Sequence, residues 1–527
     1  MRRARISMVV TAAVVAAVAV GSQPAAAIPA GLTAQLPIHG YQEMVLDEAH
    51  GHLIILDQAQ LLVTDLRGKK LASVAEPYPT HLALSPDSGT VYVSVLGDNG
   101  QSSTIKAFDT GTFALKKTYD LYDGNTVPAE LAVTGGQLFF SYRNIRSGPP
   151  GHSSTGVGSF DLADPAPVPR MAKHWVQLDV APHIAASPAA PGVLLVGQAQ
   201  VADYRRSVEL DRYVVGPGVF TRTAALPADK APLSDFGFSA DGGQVVAATP
   251  WPDRYGGDLV LKSSDLSTVG NFDHSWTGGG EHLATGPGLV AESNPDGEVD
   301  VYTLGAFGDV LPLHRYLYGV DASMGHGIAF SHDGSRLYAI THDVDRDTYA
   351  LHVEENPGLP QVYVFLDSRL PVPLGQPFAM TGQAKSAKPL PTSVTVRITR
   401  DGKPLTDVQV GADGRYSFTD QPSATGKHVY RASYAGDAGH VGSEAEIAVT
   451  VTDAPAGSGS PSSGTTSTTT NAGTSAAADT TFESAPGQEL AATGGGGEAG
   501  MLAGAGAALV AVGGAVLLLL RRRPVGR

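Results

Sequence analysis

The sequence predicts an all-β protein in which seven similar units close radially, followed by a small sandwich. Three observations carry this reading. The 527 residues include 63 Gly and 36 Pro with few long apolar-periodic segments, a composition of turns rather than helices. A short pattern recurs seven times, each copy followed by a turn glycine (Gly51, Gly89, Gly135, Gly192, Gly242, Gly286 and Gly334) at intervals of 38 to 57 residues. A unit of that length holds four short strands and cannot bury both faces of its own sheet, so it must stack on its neighbours.

The copies begin Glu43-Met44-Val45-Leu46, His81-Leu82-Ala83-Leu84, Glu130-Leu131-Ala132-Val133 and His183-Ile184-Ala185-Ala186. They continue with Asp235-Phe236-Gly237-Phe238, His282-Leu283-Ala284-Thr285 and Gly327-Ile328-Ala329-Phe330. Alternate strand residues face opposite sides of a sheet. The second position is therefore a large apolar column against one neighbouring unit. The third is Ala or Gly in six of the seven copies and faces the other neighbour. Small residues suit the crowded innermost strands around an axis. A seven-bladed β-propeller meets these demands, whereas a sandwich has no need of seven equal units.

Within the second unit the remaining strands are expected at Thr90–Val95, Thr104–Asp109 and Phe113–Tyr119. Val91-Tyr92-Val93-Ser94 and the run Thr104 to Thr110 resemble the YVTN-type surface-layer propeller repeat. Ser85-Pro86-Asp87 and Phe330-Ser331-His332-Asp333-Gly334 resemble its inner turn. The resemblance covers roughly Ala34–Ser368, strongest in units two and seven, and places the propeller at 34–368. That family includes lactonase-like and lyase-like enzymes, so the resemblance speaks for fold more than for activity.

Beyond it, residues 369–453 carry alternating runs divided by Asp401-Gly402 and Asp413-Gly414 turn signals, as in a small sandwich. Tyr434-Ala435-Gly436-Asp437 followed by Gly442-Ser443 resembles the last hairpin of bacterial immunoglobulin-like repeats, whose usual role is a stalk. Residues 454–489 are rich in Ser, Thr, Gly and Ala, too poor in large apolar residues to fold, and are expected to act as a disordered tether.

Both ends read as export signals. Arg2, Arg3 and Arg5 precede an apolar stretch from Ile6 to Val20 and the small residues Ala25-Ala26-Ala27. This order predicts a signal peptide over 1–27 and a mature start near Ile28. At the other end, 490–527 holds Leu490-Ala491-Ala492-Thr493-Gly494, an apolar run 501–520 and the Arg-rich tail 521–527. At about 1.5 Å per residue that run is about 30 Å of helix, a bilayer's hydrocarbon thickness. The arrangement resembles a sortase cell-wall sorting signal of the Leu-Ala-x-Thr-Gly, class E type. The resemblance implies cleavage between Thr493 and Gly494 and an amide link from Thr493 to peptidoglycan, with the helix a membrane anchor before processing. A plain single-pass anchor is the alternative. Either way the body of the protein lies outside the cell, held on the wall or membrane.

The chain carries a net charge of −15, which argues against nucleic acid as a partner. Without cysteine it has neither disulfides nor thiolate metal sites, so stability rests on burial. A monomer is expected.

The first position of each unit should gather at one channel mouth. It gives Glu43, His81, Glu130, His183, Asp235 and His282, with Gly327 in the seventh unit and His326 beside it. Imidazoles and carboxylates together suit a divalent metal such as zinc or manganese. The preferred reading, which the resemblance to YVTN-type repeats implies, is that each side chain hydrogen-bonds the adjacent blade; a metal or ligand role is the alternative. Asp343, Asp345 and Asp347 form a weaker candidate for calcium, lacking the glycine of an EF-hand loop; a solvated acidic hairpin is the preferred reading. Trp251, Tyr255 and Trp276 fall in loops where they would stack on a ligand. No Gly-x-Ser-x-Gly elbow, His-Glu-x-x-His helix or P-loop occurs. The preferred function is a surface-anchored binding, adhesion or ligand-recognition module for an unidentified surface ligand or protein. The alternative is a metal-dependent surface enzyme of lactonase or lyase type using the ring.

Overall fold

The computed structural model describes residues 31–97, 103–121, 126–144, 154–176, 181–197, 210–226, 233–249, 257–273, 282–293, 297–309, 311–318, 322–367, 371–391 and 393–453. Among these residues all regular structure is β, and no helix is long and apolar enough to cross a membrane. The segments expected from the sequence to be a signal peptide (1–27), a tether (454–489) and a sorting signal (490–527) lie outside the described residues.

Seven sheets follow one another along the chain, antiparallel apart from a two-residue parallel edge pairing in the fifth, Phe272 with Gly308 and Asp273 with Asp309. Their innermost strands are Tyr41–Asp47, Pro79–Leu84, Thr126–Thr134, His183–Ala185, Asp235–Phe238, His282–Gly286 and Ala322–Phe330. Each innermost strand lies beside that of the next sheet, and the first lies beside the seventh, so the ring closes. Seven buried apolar clusters among the described residues fill the seven gaps between adjacent sheets. This is the architecture of a β-propeller. The second-position column is buried as its period demands, at Met44, Leu82, Leu131, Ile184, Phe236 and Ile328.

Blade seven is completed from the other end of the chain. Leu32–Leu36 pairs antiparallel with Thr348–Glu355, Leu32 opposite Val353 and Leu36 opposite Tyr349. The opening residues thus supply the outer strand of the last sheet.

The inner turns repeat one hydrogen-bond device. Ser85 Oγ donates to Asp87 (2.5 Å) and accepts from the Thr90 amide (2.9 Å). Ser239 with Asp241 and Gln244, and Ser331 with Asp333 and Arg336, do the same. In the second blade the fourth strand starts at Leu115, later than the sequence suggests. Phe113 instead adopts φ +57°, closing a turn in which its amide donates to the Asp109 carbonyl.

Glycine supplies close packing in blade three. A Cβ at Gly158 would overlap the Phe140 ring, which is fully buried against Phe160. Gly158→Ala is expected to cost about 1–3 kcal/mol through overpacking, read as a lower urea midpoint. An unchanged midpoint would show that Phe140 can move aside.

After the propeller, Tyr363–Asp367, Phe378–Lys385 and Arg415–Asp420 make a three-stranded sheet. Thr395–Arg400, Lys403–Gln409, Gly426–Asp437 and His440–Thr452 form another. Tyr430 links the two, contacting Phe378 and Phe418 and donating to Asp420 Oδ2 (2.6 Å). Tyr363–Asp367 belongs to this block rather than to the propeller, because its edge pairs with Phe378–Lys385. Among the described residues, a second compact unit gathers Pro371–Pro377, Gln421–Lys427 and residues 450–453. Within it Val372–Pro373 runs parallel to Val451–Thr452, and the Gln421 side-chain Nε2 donates to the Gly375 carbonyl (2.6 Å).

Candidate functional site

In four blades the ladder of the inner strand slips at or beside the leading residue of the unit. The slips fall between Tyr41 and Glu43, Pro79 and His81, Pro128 and Leu131, and Ser323 and Ile328. A bulge bends the strand and re-aims its side chains. Glu43, Glu130 and His326, all at such slips, line a central cleft together with His183 and Asp235. The cleft holds about 280 Å³.

The carboxylates of blades one, three and five each grip the following blade. Glu43 Oε2 accepts the Leu82 amide (2.6 Å), Glu130 Oε2 the Ile184 amide (2.8 Å) and Asp235 Oδ2 the Leu283 amide (2.9 Å). These are inter-blade staples, the structural role that the sequence leaves open for the ring. A histidine accompanies each carboxylate. His81 Nδ1 lies 3.4 Å from Glu43 Oε2, and His282 Nδ1 lies 3.9 Å from Asp235 Oδ2. His183 bridges two, with Nδ1 2.6 Å from Glu130 Oε2 and Nε2 3.0 Å from Asp235 Oδ1.

Burial works against charge at His81, Glu130, His183, Asp235 and His282. For His183 burial favours the neutral ring, yet Glu130 and Asp235 outweigh it and push the imidazole well above its usual value. His81 is raised by Glu43 against the same opposition from burial. Burial alone would raise Glu130 and Asp235, but His183 holds both below the ordinary carboxylate range. His282 has no such close partner, and burial lowers it to about 4. The same ring thus raises one imidazole and lowers another.

Among the described residues, one group of three or more side chains brings its ligand atoms within 4.8 Å of one another: Asp235, His282 and His326. The His282 and His326 rings lie 5.2 Å apart, and the His183 and His326 rings 5.9 Å. Asp343, Asp345 and Asp347 do not form such a group. Asp343 pairs with Arg346 (2.9 Å) and Asp347 with His342 (3.1 Å), as in a solvated hairpin. Trp251, Tyr255 and Trp276 lie outside the described residues, as do Leu490, Ala491, Ala492, Thr493 and Gly494.

Two features escape the sequence reading. His326 takes φ +53°, a left-handed conformation rare for a residue with a side chain, and the Tyr41 hydroxyl donates to its carbonyl (2.7 Å). Nothing local marks it beyond the neighbouring Gly327. The other is a buried acidic set, Asp258, Glu292 and Asp300, on blades five and six. Arg315 binds Asp300 through two contacts of 2.8 and 3.0 Å. Burial, then the charge of Asp258, pushes Glu292 well above the usual carboxyl range. An acid inside an otherwise apolar strand was the available signal.

No family model and no curated protein matches this chain. Similar solved structures include the Dos1 propeller, 14% identical with a TM-score of 0.42, covering 61% of this chain and 83% of the other. Hydrazine synthase of Kuenenia stuttgartiensis is 14% identical with a TM-score of 0.41, covering 60% and 96%. A 6-phosphogluconolactonase candidate from Bacteroides uniformis is 16% identical with a TM-score of 0.39, covering 55% and 84%. Scores this low bear on neither activity nor ligand; the propeller architecture rests on the seven sheets and their closed ring of interfaces.

Proposed function

We propose that the protein is a surface-anchored recognition module. Its propeller offers the channel mouth to a small polar ligand, an immunoglobulin-like block serves as stalk, and the 454–489 tether leads to a class E sortase signal. The observation that carries this reading is the 280 Å³ cleft lined by Glu43, Glu130, His183, Asp235 and His326. Its carboxylates are held by backbone amides on rigid strands, a preorganised arrangement suited to binding.

Two experiments test it. Muropeptides and soluble wall glycans titrated into the purified protein should bind, and Glu130→Gln should weaken that binding; equal affinity in the variant would remove the mouth from the reading. For the anchor, muramidase digestion of cell walls should release chains ending at Thr493 with a peptidoglycan peptide attached, while Thr493→Ala stays in the membrane fraction. Wall-released protein retaining Met501–Leu520 would overturn sortase processing.

A second reading, a metal-dependent enzyme of lactonase or lyase type, is favoured by the closeness of Asp235, His282 and His326. In it a bound metal would polarise a carbonyl or activate water at the cleft.

A further inference from the structure

The geometry points to a divalent transition-metal site formed by Asp235, His282 and His326, with His183 and Glu130 as its outer support. This deepens the second reading, and it stands on three independent observations.

The first is the donor set. Two imidazoles and one carboxylate lie with ligand atoms within 4.8 Å of one another. Ligands about 2.1 Å from a shared ion are separated by roughly 3–3.5 Å. The trio therefore needs to close by about an ångström, within reach of side-chain rotation. Two nitrogens and one oxygen suit zinc, iron(II), cobalt or manganese; calcium and magnesium prefer oxygen alone.

The second is an unmet polar atom. His282 Nδ1 is buried and finds no hydrogen-bond partner among the described residues. It lies 3.9 Å from Asp235 Oδ2, too far for a hydrogen bond but close enough to share an ion. A buried ring nitrogen left bare costs about 1–3 kcal/mol, which a metal would recover.

The third is the way the ligands are held. His326 is kept in the left-handed region at φ +53° with its carbonyl accepting from the buried Tyr41 hydroxyl (2.7 Å). Such a conformation costs on the order of 1–3 kcal/mol, and at His326 it delivers an imidazole to the channel. Asp235 is fixed on both oxygens. Oδ1 accepts from the Phe236 amide (2.7 Å) and lies 3.0 Å from His183 Nε2, while Oδ2 accepts from the Leu283 amide (2.9 Å). Glu130 in turn holds His183 at 2.6 Å. A ligand carboxylate oriented by an imidazole and a second carboxylate is the support that metal sites use. Three protein ligands leave further coordination positions, and the adjacent cleft gives them room for water or a ligand.

The test uses the full chain, stripped with chelator and titrated with Zn²⁺ alone, then with Co²⁺ as a spectroscopic probe. One equivalent per chain is expected, with visible Co²⁺ bands of nitrogen and oxygen coordination. His326→Gly removes the imidazole while relieving the backbone, so it should fold at least as stably and lose metal binding. His183→Gln should weaken binding by roughly 10–100-fold without abolishing it. His342→Gln, outside the channel, should change nothing. Absence of stoichiometric binding, or wild-type affinity in a folded His326→Gly protein, would overturn the site. Muropeptide binding measured on the stripped protein separates the two proposals: a chain that binds glycan but no metal keeps recognition and loses this site, and the converse keeps only the site.

Discussion

A chain lacking Leu32–Leu36 is expected to be recovered unfolded or aggregated. That strand is the outer member of blade seven, paired over five residues with Tyr349–Val353. Leu36 is buried in the cluster joining blades seven and one, with Ile38, Tyr41, Tyr349, Leu351 and Val353. Thr33 adds a side-chain contact to His352 Nδ1 (3.1 Å), whose Nε2 meets Thr341 Oγ1 (2.9 Å). Removing the strand takes away these backbone bonds, each worth about 1 kcal/mol net. It also uncovers part of an apolar cluster and leaves an open sheet edge ready to pair with other chains. The loss should reach about 5 kcal/mol or more, comparable with the whole stability of a typical domain. Circular dichroism and urea unfolding of the shortened chain would measure it. A synthetic peptide covering 28–40 should restore the fold if ring closure is the cause. A shortened chain with an unaltered midpoint would mean that the ring is held elsewhere.

What the sequence discloses and what it hides follow from the range of the interactions. The inner strands are legible because crowding around an axis forces a local pattern: Leu82 beside Ala83, Leu131 beside Ala132, Ile184 beside Ala185. The leading residues Glu43, Glu130, His183 and Asp235 meet at one cleft because the same period carries them there. Their pairing is not legible. Nothing in the sequence around Glu130 says that it will accept the Ile184 amide, because that bond spans 54 residues. The contact between Thr33 and His352, 319 residues apart, is further beyond local pattern. Tyr363–Asp367 alternates like a propeller strand and follows blade seven directly, so only its pairing with Phe378–Lys385 assigns it to the next block. His326 is a candidate from its place beside Gly327, but the left-handed backbone that holds it at the cleft is not legible from residue type.

Stability should peak near pH 6.5–7, and His183→Leu should both lower the peak and flatten its alkaline side. The folded value of His183 is raised above the unfolded one, because Glu130 and Asp235 overcome the opposing effect of burial. Its contribution is therefore complete below about pH 6.5 and fades as pH rises through the folded value. Glu130 and Asp235 act in the opposite sense. Burial would raise them, but His183 depresses both, so their contribution is present above about pH 4 and lost as acid reaches their lowered values. His282, His314 and His352 steepen the acid side. Burial lowers each to about 4, so the unfolded chain takes up their protons first and stability drops from pH 6.5 towards 4. In His183→Leu, Glu130 and Asp235 stay buried against an apolar side chain with their shared cation gone. Breaking a buried pair in this way costs roughly 3–5 kcal/mol at neutral pH. Adding Glu130→Gln to the variant should recover part of that loss, since a neutral amide tolerates the site better. Calorimetric melting temperatures of the three proteins from pH 4 to 9 would decide it. Wild-type and His183→Leu profiles that run parallel across the alkaline limb would show that His183 carries no charge in the folded ring.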